Sequence, residues 1–468
     1  MNPPKDPPRH PAPPGAWSPA RRIARVFAAP VERFLAIEAA SGILLLVAAV
    51  LALIVANSPL RGVYEAFWGT ALGFSLGESA FSRDLRWWVN DGLMVVFFFV
   101  VGLEIKREIH AGELSELRRA ALPLAAALGG MLVPAAIYTA FNYGRPTSVG
   151  WGVPMATDIA FAVGVLALLG DRVAPALRIL LLSLAVIDDL GAILVIAFFY
   201  SDGISYAGLA VAAAGLLSIP ALQAFGVRSP YAYVPSALVA WGGAYAAGVH
   251  PTIAGVLVGL LTPVRAWLGP AVLVETAENA AREVRAVIAA GSSDVLVHVS
   301  PLNEAAREAV SPVERLQHGL HAWVAFGIMP IFAFANAGVA LGAATFDDDG
   351  IRVFGGVFLG LFVGKTLGVF ALSRLAVATG AAAVPRGVPW SHVSVVAIVA
   401  GIGFTMALFI AQLAFPPGPA LETAKLGILA ASLCAGVVGY GVGRVLLTPG
   451  GGAGGARTAA EAEASTEV

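Results

Sequence analysis

Apolar runs of about twenty residues, the length one bilayer crossing requires, recur along this 468-residue chain from Leu35 to Leu446. Nothing else in the sequence limits the fold as strongly. Charged residues occupy only 13% of positions against 58% apolar, about half the charged share of a soluble domain. The surface charge that keeps a soluble protein in water is missing. The expected fold is therefore an all-α polytopic membrane protein. Cys434 is the single cysteine, which excludes an internal disulfide and argues against a metal–thiolate cluster.

About twelve crossings are expected, near 35–56, 88–105, 120–141, 151–170, 177–200, 206–225, 231–249, 252–264, 319–342, 352–374, 391–415 and 422–446. The eighth is too short to cross unaided. An even number places both termini on one side, and Lys and Arg identify that side as cytoplasmic. Counted so, twenty-two basic residues fall inside and six outside, with Lys365 within a span. The expected organisation is a disordered cytoplasmic tail over 1–34, a transmembrane domain over 35–446 and a second disordered cytoplasmic tail over 447–468. The Pro-rich start and Gly-rich end suit disorder. Two connections are long. The external one, 57–87, has the composition of a short hairpin; the cytoplasmic one, 265–317, has the charge spacing of a small solvated helix, with Glu278 four residues before Arg282,.

Against this apolar background, "LAVIDDLGAILV" stands out. Asp188 and Asp189 interrupt a stretch otherwise free of charge from Ile179 to Tyr200, and Asp158 and Lys365 interrupt two others. Each such group at the centre of a membrane helix costs about 2.5–3.5 kcal/mol on insertion scales. Four together reach roughly 10 kcal/mol, comparable with the net stability of a whole protein. A single Asp–Lys pair can be packing glue. Three acids and one base leave an excess of negative charge that only protons or cations neutralise.

Adjacent carboxylates lie about 100° apart on a helix, so Asp188 and Asp189 can border one cavity and titrate as a unit. Sodium prefers oxygen ligands, which these carboxylates, the Thr157 hydroxyl and freed backbone carbonyls can supply. A proton and a cation then compete for the same oxygens, the simplest coupling for exchange. Lys365 is available to pair with one of the acids. "TDIAFAVG" and "GIGFTM" carry polar or Gly positions within spans, where helices can break. An Asp near opposing helix N-termini is stabilised by their dipoles, a role that suits Asp158 better than direct coordination. A Gly-interrupted span followed by a longer one occurs in both halves of the chain, a faint internal pairing.

"FFFVVGLEIKREI", "ATDIAFAVGVLALLG", "LAVIDDLGAI", "GVHPTIAGVLVGLLTP", "PIFAFANAGV", "GIGFTMALFIAQLAF" and "AKLGIL" together resemble the NhaA-type sodium/proton antiporters of bacteria, collinearly over about 35–446. The resemblance implies inverted repeats with two discontinuous crossing helices. It also implies electrogenic, pH-regulated exchange of cytoplasmic sodium or lithium for protons by alternating access, serving sodium and pH homeostasis. Asp189 takes the place of the principal cation and proton ligand, Asp188 its neighbour within reach of Lys365, and Thr157–Asp158 the pair of the first broken helix. A multi-pass protein of the bacterial inner membrane is implied, joined as a homodimer partly through the external hairpin. Glu104, Lys106, Arg107 and Glu108 match the family's pH-sensing mouth, and His250, His318 and His321 at helix ends are further candidates for pH regulation.

The chain departs from the pattern at Gln317, where an acid is typical, at Glu314, where a base is, and at Ala322, where proline is. No cofactor and no nucleic-acid partner are expected; sodium, lithium, protons and the lipid bilayer are. A channel would need its acids along one continuous pore. An organic-solute symporter would need more polar or aromatic groups inside the spans. A membrane enzyme would need a nucleophile motif, a His/Cys cluster or a phosphate-binding glycine loop.

Overall fold

A computed structural model describes residues 40–447 apart from 78, 202, 290–294, 343, 345, 386 and 387. Except for Leu447, the two terminal tails expected to be disordered lie outside the described residues. The helices are α1 (Ala40–Ala56), α2 (Arg61–Trp68), α3 (Met94–Ala111), α4 (Leu117–Asn142), α5 (Ile159–Leu168), α6 (Pro175–Phe199), α7 (Tyr206–Ala224), α8 (Val234–Ala246) and α9 (Thr252–Leu261). They continue as α10 (Pro270–Ala289), α11 (Val295–Glu308), α12 (Pro312–Trp323), α13 (Met329–Asn336), α14 (Asp348–Leu359), α15 (Lys365–Ala378), α16 (Trp390–Val399), α17 (Phe404–Ala414) and α18 (Pro419–Leu446).

The protein is an all-α polytopic membrane protein. Among the described residues, seven continuous spans are long and apolar enough to cross a bilayer, and three bent helix pairs raise the number to ten. Two of those pairs are broken spans: a 3-10 segment Pro146–Met155 followed by α5, bent by 44°, and α16 followed by α17, bent by 46°. In the third, the chain turns by 116° between α1 and α2, so α2 lies within the expected external connection 57–87 instead of prolonging the first crossing. The remaining two expected crossings fall on α8 and α9, of 13 and 10 residues. At 1.5 Å per residue these are about 20 and 15 Å long, short of the ~30 Å hydrocarbon core. Large apolar side chains such as Ile54, Leu132, Leu217, Phe198 and Val437 are exposed on the outer faces of the bundle, as contact with lipid tails permits.

Contacts between connections sort them into two faces. On one, Ala71–Leu76 (β1) and Ser79–Asp84 (β2) form an antiparallel hairpin with Phe74 opposite Phe81, turning at Gly77 with φ 60°. Arg83 hydrogen-bonds the Tyr245 hydroxyl at the end of α8 and lies over the Phe81, Trp87 and Tyr245 rings. Arg145 pairs with Asp348 at 2.5 Å on that same face. On the opposite face, Arg228 pairs with Glu308 at 2.7 Å, and Arg172 donates to Arg444 O. The long connection on this second face holds two helices, α10 and α11, packed on one another, where the charge spacing suggested one.

Small residues bring the central helices into backbone contact. A Cβ on Gly129 of α4 would lie 2.0 Å from Gly368 O of α15, and a Cβ on Gly368 would lie 2.0 Å from Gly129 O. Only glycine fits at such a crossing. The close approach seals Lys365 between α4 and the broken span, at 0% exposure.

Candidate functional site

The two breaks lie against each other in the middle of the bundle. Asp158 N donates to Ile402 O at 2.7 Å, and Thr157 Oγ1 donates to Ala400 O at 3.0 Å. Each break ends one half-helix with spare carbonyls and starts another with spare N–H groups, and buried side chains answer both. Asp158 caps its own helix, accepting from Phe161 N at 3.0 Å through Oδ1. Its Oδ2 accepts from Thr405 N at 3.0 Å and from Thr405 Oγ1, at the start of α17. One carboxylate thus lies at the positive ends of two half-helix dipoles. Ser432 of α18 completes the second cap, accepting from Phe404 N at 3.0 Å.

Lys365 answers the opposite polarity. Its Nζ donates to Met155 O, a carbonyl left over where the 3-10 segment stops, and to Asp188 Oδ2 at 2.5 Å. The Thr157 hydroxyl lies 2.7 Å from that same Asp188 oxygen and shares its single proton between it and Ala400 O,. Asp188, Thr157 and Lys365 are each 0% exposed and Asp158 is 1%. Burial at this depth strengthens every electrostatic contact and makes an unpaired charge costly.

Asp189 differs from all of them. It is 1% exposed, and neither carboxylate oxygen has a hydrogen-bond partner among the described residues; Asp188 Oδ1 is likewise unpartnered. Glu104 and Asp158 lie within electrostatic reach of Asp189. Three carboxylate oxygens on neighbouring residues are therefore held in the protein interior with their lone pairs unused. Buried polar atoms in native proteins are nearly always satisfied, so three together demand a use. Protons and hard cations are the species that bind such oxygens. Among the described residues no group of three or more His, Cys, Asp or Glu is placed to hold a metal ion.

The expected pH-responsive residues separate into two places. Glu104, Arg107 and Glu108 lie on α3, and His318 and His321 on α12, which packs against α3. Arg107 is 3.5 Å from Glu108, and Glu108 Oε2 accepts from Glu113 N at 3.1 Å, closing the turn after α3. His250 stands apart from them, near the hairpin face, with Nδ1 3.9 Å from Asp91 Oδ1. Glu314 has a local structural task. It shares a reciprocal cap with Ser311 at the start of α12, Ser311 Oγ donating to Glu314 Oε2 at 3.0 Å and accepting from Glu314 N at 3.2 Å,.

Sequence reading passed over Thr405, Ser432 and the carbonyls of Met155, Ala400 and Ile402. Thr405 carried a faint signal, being a hydroxyl two residues after Gly403 in an apolar run. The carbonyls carried none.

The family model for Na+/H+ antiporter 1 matches residues 32–442. The chain belongs to that family. It is 55% identical over 459 residues to "Na(+)/H(+) antiporter NhaA 2" of Sorangium cellulosum, covering 97% of this chain and 98% of the relative. It is also 55% identical to the protein of that name from Myxococcus xanthus, over 97% of each. "Na(+)/H(+) antiporter NhaA" of a Janthinobacterium is 50% identical over 88% of this chain and 92% of its own length. The acids, Lys365 and both helix breaks all fall inside the matched region.

Proposed function

We propose that this protein is a secondary transporter that exchanges cytoplasmic Na+, or Li+, for external protons across the bacterial inner membrane. The observation that carries the reading is the contrast within one pair of adjacent acids. Asp188 is tied by Lys365 and Thr157, whereas both oxygens of Asp189 are buried and unclaimed. Asp189 binds the ion or the proton, with Asp188 Oδ1 and Thr157 as neighbouring oxygens. Asp158 and Lys365 hold the facing half-helix ends in place around them, and Lys365, paired with Asp188, gives up a proton when the cation arrives.

Exchange follows because two competitors share one set of oxygens. A cation entering from the cytoplasm displaces protons, the site opens to the other face, and protons there displace the cation. Broken helices, with their unsatisfied ends compensated at the midplane, are the kind of element that lets access alternate around a fixed site. More than one proton per cation makes the cycle electrogenic, so the membrane potential drives it. Both termini face the cytoplasm and the hairpin faces outward, where it joins two copies into a homodimer. The cytoplasmic cluster of Glu104, Arg107, Glu108, His318 and His321 adjusts activity to pH, with Gln317 on the same helix as the two histidines setting its threshold. The physiological result is sodium and pH homeostasis.

The test uses everted membrane vesicles from cells expressing the chain and lacking other sodium exchangers. With a preset inside-acid gradient, Na+ and Li+ are expected to dissipate it and K+ is not. Clamping the membrane potential should accelerate the response. Failure of Na+ to move the gradient at any pH between 6 and 9 (an interval spanning ordinary His titration at about 6.5) would remove the reading.

A further inference from the structure

Three side-chain amides meet near the hairpin face, on elements far apart in the chain. Asn336 Nδ2 donates to Asn90 Oδ1 at 2.8 Å, and Asn90 Nδ2 donates to Gln412 Oε1 at 2.5 Å. The chain of amides ends unsatisfied in both directions. Asn336 Oδ1 and Gln412 Nε2 are buried without a hydrogen-bond partner among the described residues. Asn90 lies in a π-helical turn, Trp88–Leu93, a distortion often found at functional positions.

Deeper in the bundle, the same three elements supply a layer of rings. Asn336 is one turn beyond Phe332, Gln412 almost one turn beyond Phe409, and Asn90 about two turns before Phe98,. The rings of Phe98 and Phe332 lie 5.3 and 6.2 Å from that of Phe409, and all three residues are at most 1% exposed. Below them is the ion site. Helix α17 begins beside Asp158 and reaches Gln412 eight residues after Phe404, about 12 Å at 1.5 Å per residue. Thr405, bound to Asp158, and Gln412 thus ride on one short rigid helix.

A buried donor and a buried acceptor left unpaired are unfavourable. A row of amides with a spare acceptor at one end and a spare donor at the other can re-pair by small displacements of the helices that carry it. Such an element has two discrete arrangements, which is what a gate needs.

We propose that Asn90, Asn336 and Gln412 form a latch over the plug of Phe98, Phe332 and Phe409, closing the external end of the ion path, and that the amides exchange partners when that end opens. The inference rests on the antiport reading above. It adds the residues that set which face the site is open to, and it couples them to the ion site through α17.

Gln412→Leu keeps most of the side-chain volume while removing the amide. The full-length protein is reconstituted in vesicles of known orientation, and the apparent KM for Na+ is measured from each face. Losing a hydrogen bond made only in the closed arrangement shifts the balance between arrangements by roughly three- to ten-fold. The external KM should fall relative to the cytoplasmic KM by about that factor. An amide with a merely structural role would lower yield or rate from both faces and leave the ratio unchanged. Asn90→Ala, which removes both hydrogen bonds between the amides, should shift the ratio in the same direction. The double variant should go no further than Asn90→Ala alone. Wild-type ratios in both single variants, in protein that melts like wild type, would overturn the latch. If wild-type protein shows no sodium-driven exchange, the antiport reading fails and the latch falls with it.

Discussion

Replacing Asp189 with asparagine should abolish sodium-driven dissipation of the pH gradient in everted vesicles while leaving the fold intact. The substitution keeps the shape of the side chain and removes its charge and its proton. Two unit charges about 4 Å apart attract by roughly 4 kcal/mol at an effective dielectric constant near 20. That sets the scale of the loss at about a thousand-fold in cation affinity. Among the described residues Asp189 accepts no hydrogen bond that its loss would break. Removing a buried, unpaired charge should therefore leave the melting temperature in detergent unchanged or raise it. Exchange that survives in the Asn variant at the wild-type rate would move the ion site elsewhere.

Lys365→Ala should be the most destabilising single change at the site. It strands Asp188, which is 0% exposed, and leaves Met155 O without its donor. Breaking a buried ion pair from one side typically costs about 3–5 kcal/mol, equivalent to roughly 3–5 °C in melting temperature for a chain of this length. Truncating Asp188 as well should restore much of the loss, because the uncompensated charge is then gone. The single variant should also move less charge per sodium ion, measured as the response of exchange to membrane potential. A double variant as unstable as Lys365→Ala would show that the pair is not what stabilises this region. An unchanged response to potential would leave Lys365 with a structural role alone.

What could be read beforehand followed from how conspicuous each group is. Asp158, Asp188, Asp189 and Lys365 announce themselves because charge in an apolar run is so unfavourable that few purposes justify it. The breaks at Thr157–Asp158 and Gly401–Gly403 were visible as polar or glycine positions where a span should be uniform. Their mutual contact was not visible. Thr157 meets Ala400 O, and Asp158 meets Thr405, across more than 240 positions in the sequence, and no local pattern encodes that meeting. Met155 O, which receives Lys365 Nζ, is a backbone atom and has no sequence signature. Asn90, Asn336 and Gln412 were passed over for a related reason. Amides are uncharged, so each alone is an ordinary polar residue near a span end; only their convergence marks them.

The fold shows the same division between local and distant causes. Long apolar runs are local, and the seven continuous spans follow from them directly. The 116° turn after α1 and the brevity of α8 and α9 depend on packing. Tyr64 on α2 donates to Phe334 O at 2.6 Å and holds that helix against α13. On α9, Gly255 and Gly259 sit so close to α3 that an added Cβ would meet Val95 O at 2.4 Å and Phe99 O at 2.6 Å. Helices as short as these complete a bundle only because their neighbours fit them so closely.

The central claim is that one pair of carboxylates holds protons and sodium in turn. Its most direct test is the proton release that accompanies sodium binding to the purified, detergent-solubilised protein in a weakly buffered medium. Adding Na+ should acidify the medium in proportion to the sodium bound, and Asp189→Asn should release no protons. Sodium binding to the wild-type protein without proton release would contradict competition at a shared site, and the mechanism with it.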